Sequence, residues 1–166
     1  MSEFQTVFGS LTDFQKGRLE IINDNPKYYT FSNIFDVANR SAPYEKVAVA
    51  KNLEYVIEAI RAEGVSPWYA CSHDEYVWLL DGEVRIDLVQ MDGAERFLQP
   101  DGEGTVQLEG EPSGVKMGWI LLGRGHQALL PKGSAYRFTA KKPSAMIQQT
   151  IQGALTVEKW AEICEC

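Results

Sequence analysis

The chain has 166 residues, 45% of them hydrophobic and 23% charged, a balance that fits one globular domain and excludes disorder as its main state. A net charge of −7 argues against a nucleic-acid function, because holding phosphate backbones requires clustered Lys and Arg that displace counterions. The opening Met1-Ser2-Glu3-Phe4 lacks the basic flank and apolar run of a signal peptide, and no apolar stretch is long enough to span a bilayer, so a soluble cytoplasmic protein is expected.

In chain order, residues 19–22 form a strand candidate closed by the turn-rich Asn23-Asp24-Asn25-Pro26. Phe31, Ile34, Phe35 and Ala38 then recur at helical spacing. The strongest helical pattern follows. Ser41 suits an N-cap and Pro43 the first turn. Ala50, Leu53, Val56, Ile57 and Ile60 make one apolar face, and Gly64 supplies a stop, which predicts a helix over 42–63.

Beyond Val65 the signal changes to β. Strands are expected at 76–80, 83–89, 105–108, 119–122, 128–130, 136–140 and 145–149, separated by Gly- and Pro-containing turns. Many short strands at regular spacing indicate an antiparallel sandwich or barrel. A closing helix is expected over 156–163, with Thr156 as N-cap and Trp160 and Ile163 on its packing side. The layout predicted is therefore mainly β: an N-terminal extension at 1–64, a barrel at 65–151 and a helical tail at 152–166. Cys71, Cys164 and Cys166 are an odd set with no export signal, which points to reduced thiols rather than a disulfide framework.

Two segments narrow the fold. One is Pro67-Trp68-Tyr69-Ala70-Cys71-Ser72-His73-Asp74-Glu75, running through Tyr76-Val77-Trp78-Leu79-Leu80-Asp81 into Gly82; the other is Gly125, then Pro131-Lys132-Gly133, then Tyr136. Their spacing resembles the two motifs of the cupin superfamily, and the resemblance implies a single jelly-roll barrel. Family members place three His and one Glu at these positions to hold a transition metal. Here the corresponding residues are Tyr69, Cys71, Glu75 and Tyr136, so only the carboxylate remains. The two histidines of the chain, His73 and His126, fall at neither expected position, although strand alternation turns His73 the same way as Cys71 and Glu75. Residue chemistry then predicts a metal-free barrel lined by Tyr69, Cys71, His73, Glu75 and Tyr136, with Glu75 accepting a hydrogen bond from a tyrosine or from His73.

The whole chain also resembles the small subunit of the two-component hydroquinone 1,2-dioxygenases. That resemblance implies an α2β2-type assembly with a larger cupin subunit carrying non-haem Fe(II), which binds the aromatic diol and O2 for ring cleavage. The small subunit would stabilise the larger one and help to wall its active site, contributing no catalytic residue and no metal ligand. Under this reading Trp78, with Trp68 and Tyr76, is expected at the partner surface or the rim of the partner's pocket, because outward aromatics bury large area at little entropy cost. Two alternatives stay open at this point. One is a stand-alone binding module for a small polar ligand. The other is a metal-independent acid–base enzyme using His73, Glu75 and a tyrosine.

Overall fold

The computed structural model describes residues 9–25, 31–98 and 104–164. A short helix, α1 (Ile34–Arg40), opens the regular structure, with Asn33 as its N-cap accepting from the backbone N–H of Phe35 and Asp36. The strands follow as β1 (Lys46–Asn52), β2 (Tyr55–Val65), β3 (Tyr69–Ala70), β4 (Glu75–Asp81), β5 (Glu83–Met91), β6 (Val106–Gln107), β7 (Gly114–Gly123), β8 (Gln127–Leu130), β9 (Ser134–Ile151) and β10 (Thr156–Val157). A single-turn helix, α2 (Trp160–Ile163), closes the described chain. Among the described residues, no helix is long and apolar enough to cross a membrane.

One curled sheet folds into two facing layers through β9. The later part of β9 pairs with β2 and β4, and β8 extends that layer beyond β4 while β1 and β10 extend it beyond β2. The earlier part of β9 pairs with β5 and β3, with β7 beyond β5 and β6 beyond β3. Period-two alternation fills the space between the layers. Val77 and Leu79 of β4, Val84 and Ile86 of β5, and Phe138 and Met146 of β9 all point inward and are almost wholly buried. This is the jelly-roll barrel expected from the motif spacing. The motif glycines Gly82, Gly125 and Gly133 all take positive φ, as turns between strands require.

The helix expected over 42–63 is absent. That segment is the antiparallel hairpin β1–β2, with Asn52 paired to Tyr55 across a two-residue turn in which Leu53 sits at φ 58°. The reason is two-sided burial. Ile60 and Ala62 face the barrel core, while Ile57 and Ala59 face outward under α1 and α2, packed with Val37, Val47 and Ile163. A strand apolar on both faces loses its alternation, and its hydrophobic positions then also satisfy a helical template. Ser41 ends α1 instead of starting a helix, its hydroxyl donating to the Val37 carbonyl at 2.7 Å.

Three further expectations change. Residues 19–22 form no strand. The strands expected at 136–140 and 145–149 are one continuous β9, with the register shifting around 141–144. The helix expected over 156–163 shortens to α2, because Thr156 and Val157 pair in parallel with Lys46 and Val47 as β10. Cys71 and Cys164 are free thiols, and Cys166 lies outside the described residues.

Candidate functional site

The barrel encloses a continuous polar network. Glu75, first residue of β4 and fully buried, projects inward beside Val77 and Leu79. Its Oε1 accepts from the Thr105 hydroxyl at 2.6 Å and its Oε2 from the Tyr136 hydroxyl at 2.5 Å. Gln148, two places along β9 from Met146, donates through Nε2 to Tyr136 at 3.0 Å. Its Oε1 accepts from the Lys46 ammonium at 2.9 Å. Lys46 is itself buried, 3.6 Å from Glu58 Oε2 and 5.0 Å from the centre of the Tyr69 ring. Thr156 donates to the other Glu58 oxygen at 2.7 Å. The chain runs from Glu58 through Lys46, Gln148 and Tyr136 to Glu75, so two buried carboxylates share one interior cation.

The second branch lies at the barrel mouth. The Cys71 thiol donates to the Gly104 carbonyl at 3.1 Å, and the His73 Nδ1 lies 3.1 Å from the same sulfur. The backbone N–H of Ile151 donates to His73 Nε2 at 3.2 Å, with the Thr150 hydroxyl 3.0 Å from that nitrogen. An Nε2 that accepts assigns the proton of the neutral ring to Nδ1, facing the sulfur. Ligand-type atoms of Cys71, His73 and Glu75 all lie within 4.8 Å of one another.

Burial sets the protonation of these groups. It pushes the Cys71 thiol up to about 12, helped by the Glu75 charge. Burial likewise lifts Tyr69 to about 12, with Glu58 adding to the effect. Tyr136 stands well above the usual phenol range, first through burial and then through the Glu75 charge and its hydrogen bond to that carboxylate. The Glu58 carboxyl is raised by burial, against which the Lys46 charge pulls it down.

The five lining residues read from the motifs therefore meet in one place. Tyr69 and Tyr136 are cross-strand partners on β3 and β9 with ring centres 5.9 Å apart. Lys46, Glu58, Thr105 and Gln148 escaped the reading. For Glu58 and Gln148 a signal exists: each occupies an inward position of an alternating strand, Glu58 before Ile60 and Gln148 after Met146. Lys46 was hidden by the helical interpretation of its segment.

The aromatic trio divides between layers. Tyr76 and Trp78 point outward from β4 and stack at 6.0 Å between ring centres. Tyr76 is 43% exposed, and its cross-strand partner Leu129 on β8 is 42% exposed, giving an apolar patch that α1 leaves open. Trp68 lies on the other layer, buried beneath the Arg137 guanidinium at 4.5 Å. It shares no surface with Tyr76 and Trp78.

No protein-family model matches the chain, and neither does any curated protein. Solved structures do. The crystal structure of hydroquinone 1,2-dioxygenase from Sphingomonas sp. TTNP3 with 4-hydroxybenzoate bound contains a chain 54% identical, matched over 98% of each chain with a TM-score of 0.95. Hydroquinone 1,2-dioxygenase PnpCD in complex with Cd2+ and 4-hydroxybenzonitrile contains one 52% identical, matched over 99% of this chain and 98% of that one, with a TM-score of 0.93. A structure of PnpCD in complex with Fe3+ contains a longer chain of the same fold, 11% identical with a TM-score of 0.62, of which only 37% is covered. With half of its residues identical along nearly its whole length, the chain belongs to the hydroquinone 1,2-dioxygenase family, as a cupin-fold subunit of that ring-cleaving enzyme.

Proposed function

We propose that this chain is the small, non-catalytic subunit of a hydroquinone 1,2-dioxygenase, stabilising a larger cupin subunit that holds the non-haem Fe(II) and helping to wall its active site. The observation that carries the reading is the saturation of Glu75. Both of its oxygens are taken by hydroxyl donors from the chain itself, and one donor, Thr105, belongs to the segment that leads into β6 and lies across the barrel mouth.

The donor set does not fit iron. Non-haem iron prefers imidazole and carboxylate ligands. Here the positions offer two phenols and a thiol that burial keeps protonated at neutral pH. The Cys71, His73, Glu75 group comes nearer to a ligand set, yet loading it would break the bonds to Gly104, Ile151, Thr105 and Tyr136 together. The occurrence of one short and one longer cupin chain in PnpCD structures that carry Cd2+ or Fe3+ supports a division of labour between two subunits. The α2β2 stoichiometry and the cytoplasmic location belong to the same proposal.

Within this reading the Tyr76, Trp78 and Leu129 patch meets the larger subunit near its substrate pocket. Co-expression with a larger cupin chain, followed by iron analysis and hydroquinone-dependent oxygen uptake for each chain and the complex, tests the proposal. Iron and oxygen uptake are expected to follow the larger chain. Stoichiometric iron and turnover in the small chain alone would overturn it. Trp78→Ala is expected to weaken the complex about tenfold or more, as loss of a central aromatic anchor does.

A further inference from the structure

The outer face of the β7-β5-β9 layer carries features that the barrel core does not explain. Trp119 of β7 is 60% exposed and Leu121 is 47% exposed, and they stand across from Asp87 and Arg85 of β5. The Arg85 guanidinium lies 5.0 Å from the Trp119 ring centre. Beside them a cavity of about 640 Å³ runs between Trp119 and Trp68, and a second of about 560 Å³ continues from Trp68, Arg137 and Glu111 toward Gln107. The combined groove is elongated, with the Trp68–Arg137 stack at its midpoint.

Two donors at that midpoint have no acceptor. Trp68 Nε1 and Arg137 Nε are buried and unpaired, although Arg137 reaches Glu111 at 2.9 Å through another nitrogen. A buried N–H without a partner costs about 1–3 kcal/mol, so a pair of them in one groove signals an acceptor that arrives from outside. Charge narrows the choice. The wider cavity is lined by Arg85, Lys116 and Arg137 against Asp87 and Glu111, one positive charge in excess, on a chain whose net charge is −7. Pairing this face with itself would bring cations together, whereas a segment offering carbonyl or carboxylate oxygens complements it.

We infer that this face is a second docking surface. It takes an extended polypeptide segment of the larger subunit, whose oxygens accept from Trp68 Nε1 and Arg137 Nε and whose apolar side chain covers Trp119. The inference rests on the subunit reading above. It adds a contact on the opposite side of the barrel from Tyr76 and Trp78, so that each small subunit is held from two sides.

The test uses the co-expressed complex and measures the affinity of the two chains for each other with the wild type, Trp119→Asp and Trp68→Phe. Trp119 is exposed, so Trp119→Asp is expected to leave the free chain folded and to weaken the complex about tenfold or more. Trp68→Phe keeps the packing and removes one unpaired donor. It is expected to raise the unfolding temperature of the free chain while weakening the complex, a crossing of effects that a purely structural tryptophan would not give. If the wild type binds and both variants bind equally well, the inference fails and the subunit reading stands. If Trp119→Asp instead lowers self-association of the small chain alone, the occupant is a second copy and the inference is overturned. If the wild type binds no larger cupin chain, the subunit reading falls and takes this one with it.

Discussion

Tyr136 and Thr105 each donate to a different oxygen of Glu75, so removing either hydroxyl strands half of a buried carboxylate. Tyr136→Phe should lower the unfolding free energy by roughly 2–3 kcal/mol, near the top of the range for a buried group that loses its partner. Urea denaturation checks it. The pair Lys46 and Glu58 makes a pH-dependent counterpart. Glu58 is raised above its ordinary value of 4.5 by burial and held back by Lys46. The folded state therefore binds that proton more tightly than the unfolded chain. Glu58 burial costs nothing below the ordinary value, and the cost grows as pH rises through that value toward the folded one. In Lys46→Met the restraint is gone. Stability is expected to drop by about 3–5 kcal/mol at neutral pH and to fall more steeply than in the wild type between about pH 5 and pH 8. Adding Glu58→Gln to Lys46→Met should remove that extra slope. At this scale the motif positions Tyr69, Cys71, Glu75 and Tyr136 were legible because their spacing is tied to turns. Their partners were not, because Lys46, Thr105 and Gln148 are polar residues far apart in the chain that only the closed barrel brings together.

Among the elements, the β1–β2 hairpin shows what pattern reading misses. Its inward residues and its outward residues are both apolar, since α1 and α2 cover the outside, and a short two-sided strand cannot be told from a helix by periodicity alone. Strands β4, β5 and β8 were legible because one of their faces is left more open and the alternation survives. The hairpin turn also holds a correctable strain. Leu53 is 82% exposed at φ 58°, a region that L residues other than Asn and Asp seldom enter. Leu53→Asn is expected to stabilise the chain by about 1 kcal/mol, seen as a higher urea midpoint with an unchanged slope. The segment leading into β6 offers the opposite case. A Cβ on Gly104, which sits at φ 72°, would lie 2.6 Å from Gly153 Cα and 2.9 Å from the Ile151 carbonyl oxygen. Gly104→Ala should push this segment off the barrel mouth, break the Thr105–Glu75 bond and cost on the order of 2–3 kcal/mol. Faster amide exchange at residues 104–107 would report the displacement.

Taken as a whole, the barrel closes on its own side chains. Charge, hydrogen bonding and apolar packing are satisfied in the interior without any added ion, so chelation is expected to leave the unfolding temperature of the isolated chain unchanged. A protein stabilised by bound metal would melt earlier after the same treatment. The two outer faces divide their work. One presents Tyr76, Trp78 and Leu129, and the other presents Trp119 beside a locally cationic groove. Added salt should therefore weaken contacts at the second face more than at the first, because desolvated apolar contacts are screened little.

β9 has a consequence for synthesis. Strands β2, β3, β4 and β5 each take a neighbour from it, and it comes after all of them, at Ser134–Ile151. During translation these earlier strands leave the ribosome with an edge still open, and they wait several seconds at about 5–20 residues per second until that last long strand arrives. Ribosome-stalled chains truncated before residue 134 should stay sensitive to protease. Those that expose β9 in full should become resistant in a single step.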